Sequence, residues 1–240
     1  MSAGAIRVTK GPEHAVLENA PAADAQSGVT LATAISDRIR SEILSGKKKP
    51  GTKLRLDEIK AEFGVSWSPI REGLSRMLAE GLVTTEDQRG FRVAPVSKRD
   101  FADIIRTRVA LESMALRASI EQGDDAWEAA LLSAHHRLSK FETRRWEGRE
   151  LDQWEVWHRT YHDALIRGCG SPILLQFCNM LHDMNYRYRR LFLSTHEPDR
   201  DVAAEHRAIA EAALARDAAK ACRLLEAHIE RTGRNILQSM

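Results

Sequence analysis

The stretch LDEIKAEFGVSWSPIREGLSRMLAEGLVTTEDQRGFRV, Leu56–Val93, decides how this chain is read. Leu56, Ile59 and Phe63 recur at i, i+3 and i+7, which gives a short helix one apolar face. Gly64 then supplies the conformational freedom that a tight turn between helices needs, and Val65 turns back into the core. A second helix is expected to start near Pro69. Ser66 or Ser68 would offer a side-chain oxygen to its exposed amides, and Pro69 is tolerated because first-turn amides have no helical partner. Its inward face reads Ile70, Leu74, Met77 and Leu78, while Ser66, Trp67, Ser68, Arg71 and Ser75 fall at its tip or on its other faces. A hairpin centred on Gly90 follows. Helix, turn, helix and hairpin in that order make a winged helix-turn-helix, whose second helix enters a DNA major groove N-terminal end first. The DNA-facing candidates are Ser66, Trp67, Ser68, Arg71, Arg76, Arg89 and Gly90. Trp67 either stands exposed at the helix tip or packs beneath the wing.

Working outward, Leu31, Ile35, Ile39, Ile43 and Leu44 line one side of a preceding helix expected over 31–45. Lys47, Lys48, Lys49, Lys53 and Arg55 form the densest basic cluster, which reads equally as a solvated loop or as a phosphate-facing one. Residues 28–98 hold 13 Lys and Arg against 9 Asp and Glu, an excess of +4 in a chain whose net charge is +2. That excess suits phosphate neutralisation without by itself naming nucleic acid. Residues 1–27 are rich in Ala, Gly and Pro without a period, so a flexible tail is expected there.

Hydrophobic content of 43% with 29% charged residues is that of a soluble globular protein. No window has the apolar length of a membrane span, and the N-terminus lacks the basic flank and apolar block of a secretion signal. A cytoplasmic protein with no membrane partner is therefore expected. Cys169, Cys178 and Cys222 are odd in number and show no paired ligand spacing, which fits reduced, buried thiols.

Beyond Pro95, Ser97-Lys98-Arg99-Asp100 reads as a helix start, and no strand pattern follows. Helices are expected over 98–122, 124–146, 149–168, 172–193, 199–215 and 217–237, with breaks at Gly123, Gly148, the Gly168–Pro172 cluster, Pro198 and Arg216-Asp217. The fold class is thus mainly α. A tail at 1–27 precedes a winged helix-turn-helix domain of three helices and a small β-hairpin at 28–96, then an all-α bundle of about six helices at 98–238.

Inside that bundle, His158 and His162 are four apart and share a helix face. His206 lies with Val202, Ile209 and Ala213, and His228 with Ala221 and Leu225, on apolar faces of the last two helices. A single inward histidine is usually a core residue bonded to a backbone carbonyl. Four that converge would leave many polar atoms unpaired unless a shared cation satisfied them. His158, His162, His206 and His228 are therefore the candidate ligands of a divalent metal ion, and neutral imidazoles favour Zn or Ni, with Cu and Co behind, over Mn and Mg.

Arg108 shares a face with Ile104, Leu111 and Ala115. It either pairs with Glu112 along its own helix or clamps the carboxylate of an effector. Arg187 and Tyr188 are further pocket candidates, while His135, His136, His182 and His196 fit no site and read as surface or packing residues. A histidine-held Zn with an open position generates hydroxide, so a metal-dependent hydrolase is the alternative in another class. Against it, Glu155 and Asp163 flank the histidine pair but point elsewhere on the helical wheel, no catalytic residue is assigned, and no enzyme is expected. A third alternative is a regulator for which the metal itself is the signal.

The segment Gly64–Val83 resembles the recognition region of the GntR family of bacterial transcription regulators, as do Ile43-Leu-Ser-Gly46, Pro50-Gly51-Thr-Lys-Leu54 and Arg89-Gly-Phe-Arg-Val93. The helical part resembles the FCD ligand-binding domain of the family's FadR branch, with Arg108-Val-Ala-Leu-Glu112 and the pair Glu205-His206 carrying the likeness. That resemblance implies a homodimer on a palindromic double-stranded DNA operator, controlled by a small carboxylate metabolite bound near a metal. It gives Arg71 a base or phosphate contact, Ser66 and Ser68 phosphate contacts, and Arg89-Gly90 the wing tip. Metal-binding members carry an Asp or similar ligand, a His four residues on, and two later His. This chain matches at His162, His206 and His228 and departs at His158, where Asp is usual. Four neutral ligands would leave the charge of the ion uncompensated and attract an anionic effector. Trp67 stands where the family usually has Arg, exchanging a hydrogen-bonding fork for an apolar or stacking surface, and Asp57 stands where relatives carry a basic residue.

Overall fold

A computed structural model describes residues 30–86, 90–142, 149–192 and 201–240. The first elements are α1 (Leu31–Leu44), β1 (Lys53–Leu54), α2 (Leu56–Phe63) and α3 (Trp67–Ala79), then β2 (Val83–Glu86) and β3 (Gly90–Val93). Gly64 takes a left-handed φ of 63° to end α2, and its amide returns to the Lys60 carbonyl, which is how eight residues of helix can be followed at once by another helix. Ser66, with extended backbone, precedes α3. The helix begins two residues before Pro69 because proline is tolerated throughout a first turn, and Ser66 makes no side-chain capping bond.

Ile35, Ile39 and Ile43 of α1 meet Ile70, Leu74 and Met77 of α3 in one apolar core, closed by Leu54, Ile59, Leu82, Val83 and Val93. Leu78, expected on that face, is instead 39% exposed. At i+8 from Ile70 it has rotated off the stripe that Ile70, Leu74 and Met77 keep at i, i+4 and i+7. The wing is a three-stranded antiparallel sheet of order β1-β3-β2, with Lys53 opposite Arg92 and Val83 opposite Val93. The third strand was not foreseen, since two residues carry no readable period. Gly90 opens β3, and Arg89 lies outside the described residues.

Among the described residues the later elements are all helical: α4 (Lys98–Gln122), α5 (Asp125–Glu142), α6 (Arg149–Ile166), a 3-10 turn (Arg167–Cys169), α7 (Pro172–Phe192), α8 (Val202–Leu214) and α9 (Ala218–Ser239). Side-chain caps fix five of the starts: the amides of Asp100, Trp127, Leu174, Ala204 and Lys220 donate to Ser97, Asp124, Ser171, Asp201 and Asp217 at 3.0, 2.9, 3.3, 2.8 and 2.9 Å. Phe101, Leu116, Leu131, Leu138, Tyr161, Leu165, Leu225 and Ile236 belong to a second apolar core, separate from the first. Cys169, Cys178 and Cys222 are buried free thiols. Among the described residues no helix is long and apolar enough to cross a membrane.

One helix of the bundle, α7, also touches the N-terminal winged helix-turn-helix, the reader domain. Arg187 donates to the Ala94 carbonyl, and the Tyr188 hydroxyl accepts from the Ser97 amide at 3.2 Å. Gly81, at a φ of 70° just past α3, leaves the space that Met184 fills, and a Cβ there would collide with the Met184 methyl. Residues 184, 187 and 188 share one side of α7, so the reader docks on a single stripe.

Candidate functional site

The histidines singled out by spacing meet. His158 and His162 of α6, His206 of α8 and His228 of α9 are all buried, and one ring nitrogen from each lies within 4.8 Å of the others. Ring centroids are 4.5 Å apart for His158 and His162 and 4.7 Å for His206 and His228. Burial first, then Arg189 and the neighbouring imidazoles, hold His158 well below the usual histidine pKa, and burial with the other rings does the same for His162. Both rings are therefore neutral near pH 7.

The cluster fits a cation on its own terms. Neither ring nitrogen of His162 has a hydrogen-bond partner, nor does Nε2 of His206, although all three atoms are buried. Desolvated, unpaired nitrogens are costly unless something accepts their lone pairs. Outside the cluster, His206 Nδ1 contacts Glu142 and His228 Nδ1 lies 2.9 Å from Glu205. Carboxylates in that position orient imidazoles toward a metal. The Tyr161 hydroxyl donates to the His206 carbonyl at 2.8 Å and pins α8 against α6.

Three expectations need correction. His182, read as fitting no site, is buried beside the cluster, with its ring 5.5 Å from that of His162 and its Nε2 3.2 Å from Glu112 Oε1. Its spacing matched no partner on its own helix, and only the packing of α7 on α4 and α6 makes it a neighbour. Glu155, read as pointing away, is buried three residues before His158 and bonded through both oxygens by Arg189. A separation of i, i+3 puts two residues on one face, a signal that was present in the sequence. Arg187 and Tyr188 do not join the imidazoles: their polar atoms hold Ala94 just past the wing and Ser97 at the start of α4.

Arg108 is buried on Glu112, with Nε 2.7 Å from Oε1 and Nη2 3.3 Å from Oε2. Burial works to raise the Glu112 carboxyl, but Arg108 and His182 outweigh it and hold it at about 2. The guanidinium is thus braced along α4. A carboxylate ligand would take it only in exchange with Glu112.

From this corner a run of charged side chains reaches the reader. His182 Nδ1 is 4.0 Å from Asp163, Asp163 pairs with Arg159 at 3.0 Å, and Arg159 pairs with Asp183 at 2.8 Å. Asp183 then lies 3.4 Å from Arg40 of α1, which holds Glu80 at the end of α3 at 2.6 Å.

On the reader, Ser66, Ser68, Arg71 and Gly90 are exposed, and Trp67 is 39% exposed. Lys60 of α2 sits over the Trp67 ring, 5.0 Å from its centroid, so the indole stands at the helix tip beside α2. Arg76 is engaged, with Thr33 at 3.0 Å and Glu72 at 2.5 Å. In the basic cluster, Lys47 and Lys48 each lie 3.2 Å from the buried Glu42 carboxylate, which explains part of that run as local pairing.

Comparison with known proteins agrees with this division. Residues 31–93 match the family described as bacterial regulatory proteins, gntR family, and residues 103–231 match the FCD domain. An uncharacterized HTH-type transcriptional regulator, BphR of Paraburkholderia xenovorans, is 40% identical over 84% of this chain and 83% of its own length. The HTH-type transcriptional repressor GlaR of Escherichia coli is 36% identical over 80% of this chain and 89% of its own. The solved structure of McbR/YncC from E. coli superposes with a TM-score of 0.73 at 21% identity, covering 88% of this chain and 98% of that one, which is likeness of fold.

Proposed function

This chain belongs to the GntR family of bacterial regulatory proteins and carries an FCD domain, and we propose that it is a homodimeric repressor whose grip on a palindromic operator is set by a small carboxylate bound beside a metal ion in the bundle. Its transcriptional role follows from the family. Repression is proposed because GlaR, 36% identical, is named a repressor.

For the reader, the exposed tip of α3 supports a major-groove contact, with Arg71 on a base or phosphate, Ser66 and Ser68 on phosphates and Trp67 against a base. For the sensor, the observation that carries the reading is the unpaired nitrogens of His162 and His206 in a buried ring of imidazoles. The imidazoles would hold the ion, and neutral nitrogen ligands suit Zn or Ni. When bound, such an ion attracts and polarises an oxygen ligand. The rest falls to the chain: the run from His182 through Asp163, Arg159 and Asp183 to Arg40 gives the bundle a way to shift α1 and the end of α3. Bundle and reader need differ between states by only about 1–3 kcal/mol for useful control.

Footprinting on host DNA, together with metal analysis of protein purified without a histidine tag, tests both halves. The expected result is a protected palindrome and one Zn or Ni per chain. No protection at any salt concentration would remove the DNA reading, and equimolar Mn without Zn or Ni would remove the metal assignment.

A further inference from the structure

The imidazoles of the cluster are backed by groups of opposite sign, and that difference sorts them chemically. Behind His206 stands Glu142, and behind His228 stands Glu205, each at Nδ1. An ionised carboxylate only accepts, so it keeps the ring hydrogen on Nδ1 and leaves Nε2 as a lone pair. Behind His158 stands a guanidinium. Arg189 Nη1 lies 3.1 Å from His158 Nδ1, while Nε and Nη2 of the same arginine are taken by Glu155.

A guanidinium offers no acceptor and keeps its protons, so at this contact Nδ1 of His158 must accept. In the neutral ring the hydrogen is then on Nε2. Neither nitrogen remains open to a cation: Nδ1 has given its lone pair to Arg189, and Nε2 carries hydrogen. Turning the ring over would not help, because a carbon would then face the guanidinium and leave its N–H unpaired. The stacked Trp154, with ring centroids 4.6 Å apart, holds the ring in this plane.

Resting on the metal reading above, we infer that His158 is the hydrogen-bond donor of the cluster and not one of its metal ligands: His162, His206 and His228 supply the lone pairs, and the Nε2–H of His158 holds an anionic oxygen of the ligand bound beside the ion. The position where the family's pattern has an acidic ligand has exchanged that role for recognition. What forces the exchange is the buried Arg189–Glu155 pair, which occupies the acceptor side of the ring.

Two measurements on the full chain decide this. In metal-free, 15N-labelled protein, long-range proton–nitrogen correlation reports which nitrogen of each ring carries hydrogen. Nε2–H is expected for His158 and Nδ1–H for His206 and His228, and Nδ1–H on His158 would overturn the inference. Zinc affinity, measured by chelator competition, is expected to change less than about threefold in His158→Leu but to fall more than about a hundredfold in His206→Leu, a direct ligand costing at least what outer partners do. Equal losses in the two variants would overturn the inference and leave the metal reading standing. If wild-type protein binds no zinc, nickel or cobalt, the metal reading falls and the inference with it.

Arg189→Gln is the third variant, because glutamine can accept from Nδ1–H and would free His158 to ligate. It is expected to tighten zinc about tenfold, and unchanged or weaker binding counts against the argument. In cobalt-loaded protein titrated with acetate, the visible spectrum should saturate at about tenfold lower acetate in the wild type than in His158→Leu. Equal saturation would remove the donor role.

Discussion

Arg40 Nη1, on the first helix of the reader, lies 3.4 Å from Asp183 Oδ2 on α7 of the bundle, and the same arginine holds Glu80 at the end of α3. This pair links the reader to the bundle at the side where α1 and the end of α3 meet. Both side chains are about a quarter exposed. A double-mutant cycle with Arg40→Met and Asp183→Asn should therefore give a coupling of only about 0.5 kcal/mol, fading at high salt. The larger effect should be on control: Asp183→Asn should bind operator as the wild type does without effector but respond less to metal and acid. Fluorescence anisotropy on labelled operator measures both, and an undiminished response would remove the Asp183 link from the account.

Arg71 and Arg76 lie on the same helix but should differ. Arg71→Ala should weaken operator binding by about 1–3 kcal/mol, in the range of a lost base or phosphate contact. Arg76→Ala should do less, because its guanidinium is already held by Glu72 and Thr33. Measured at a single salt concentration, equal losses would mean that the tip of α3 does not lead into the groove.

Trp67 should act on sequence preference more than on strength. Selection from a randomised operator library should give the Trp67→Arg variant a preference changed at one position in each half-site, with Arg favouring guanine there. If wild type and variant select the same sequences, the indole does not face a base.

Stability of the metal-free protein should depend on pH through its neutral, buried rings. His158, His162 and His182 all have depressed folded pKa values, burial being the first cause in each. The unfolded chain then binds more protons than the native state below the ordinary histidine pKa of about 6.5. Their contribution is fully present above that value and is lost as pH falls toward the folded ones, with a slope of at most about 1.4 kcal/mol per pH unit for each ring. Urea unfolding between pH 8 and 5 checks this, and His162→Leu should flatten the slope. A stability that rises on acidification would contradict the neutral assignment.

Glu112 runs on a separate window. Held at about 2 by Arg108 and His182, its carboxylate stabilises the fold above the unfolded carboxyl range, and that contribution is lost progressively as pH falls from there through about 2. At neutral pH, Glu112→Gln strands the buried Arg108 and should cost about 3–5 kcal/mol, whereas replacing both by apolar residues should cost far less. Chemical denaturation of the single and double variants tests it. A mild single variant would mean that Arg108 is free to serve as a clamp.

Much of this was readable along the chain. The apolar spacing at Leu56, Ile59 and Phe63, the turn at Gly64 and the caps at Ser97 and Asp217 are local signals, because the interactions behind them span one or two helical turns. The helix starts expected at 98, 149, 172 and 217 followed within one residue for the same reason, while the bounds expected at 146, 193 and 199 lie outside the described residues. Histidines at 158 and 162 announced themselves by i, i+4 spacing, and His206 and His228 by sitting on apolar faces.

What stands behind each ring was not readable. Arg189 reaches Glu155 and His158 across more than thirty positions, Glu142 reaches His206 across 64, and Asp183 reaches Arg40 across 143. No periodicity encodes contacts between side chains so distant. A helix sequence states which of its faces is buried, but the partner on that face is chosen by how whole helices pack. The amino acids alone pointed to a winged helix-turn-helix and to four inward histidines; the crossing of α6, α7, α8 and α9 decided which ring meets a carboxylate and which a guanidinium, because contacts between side chains on different helices depend on how whole helices pack.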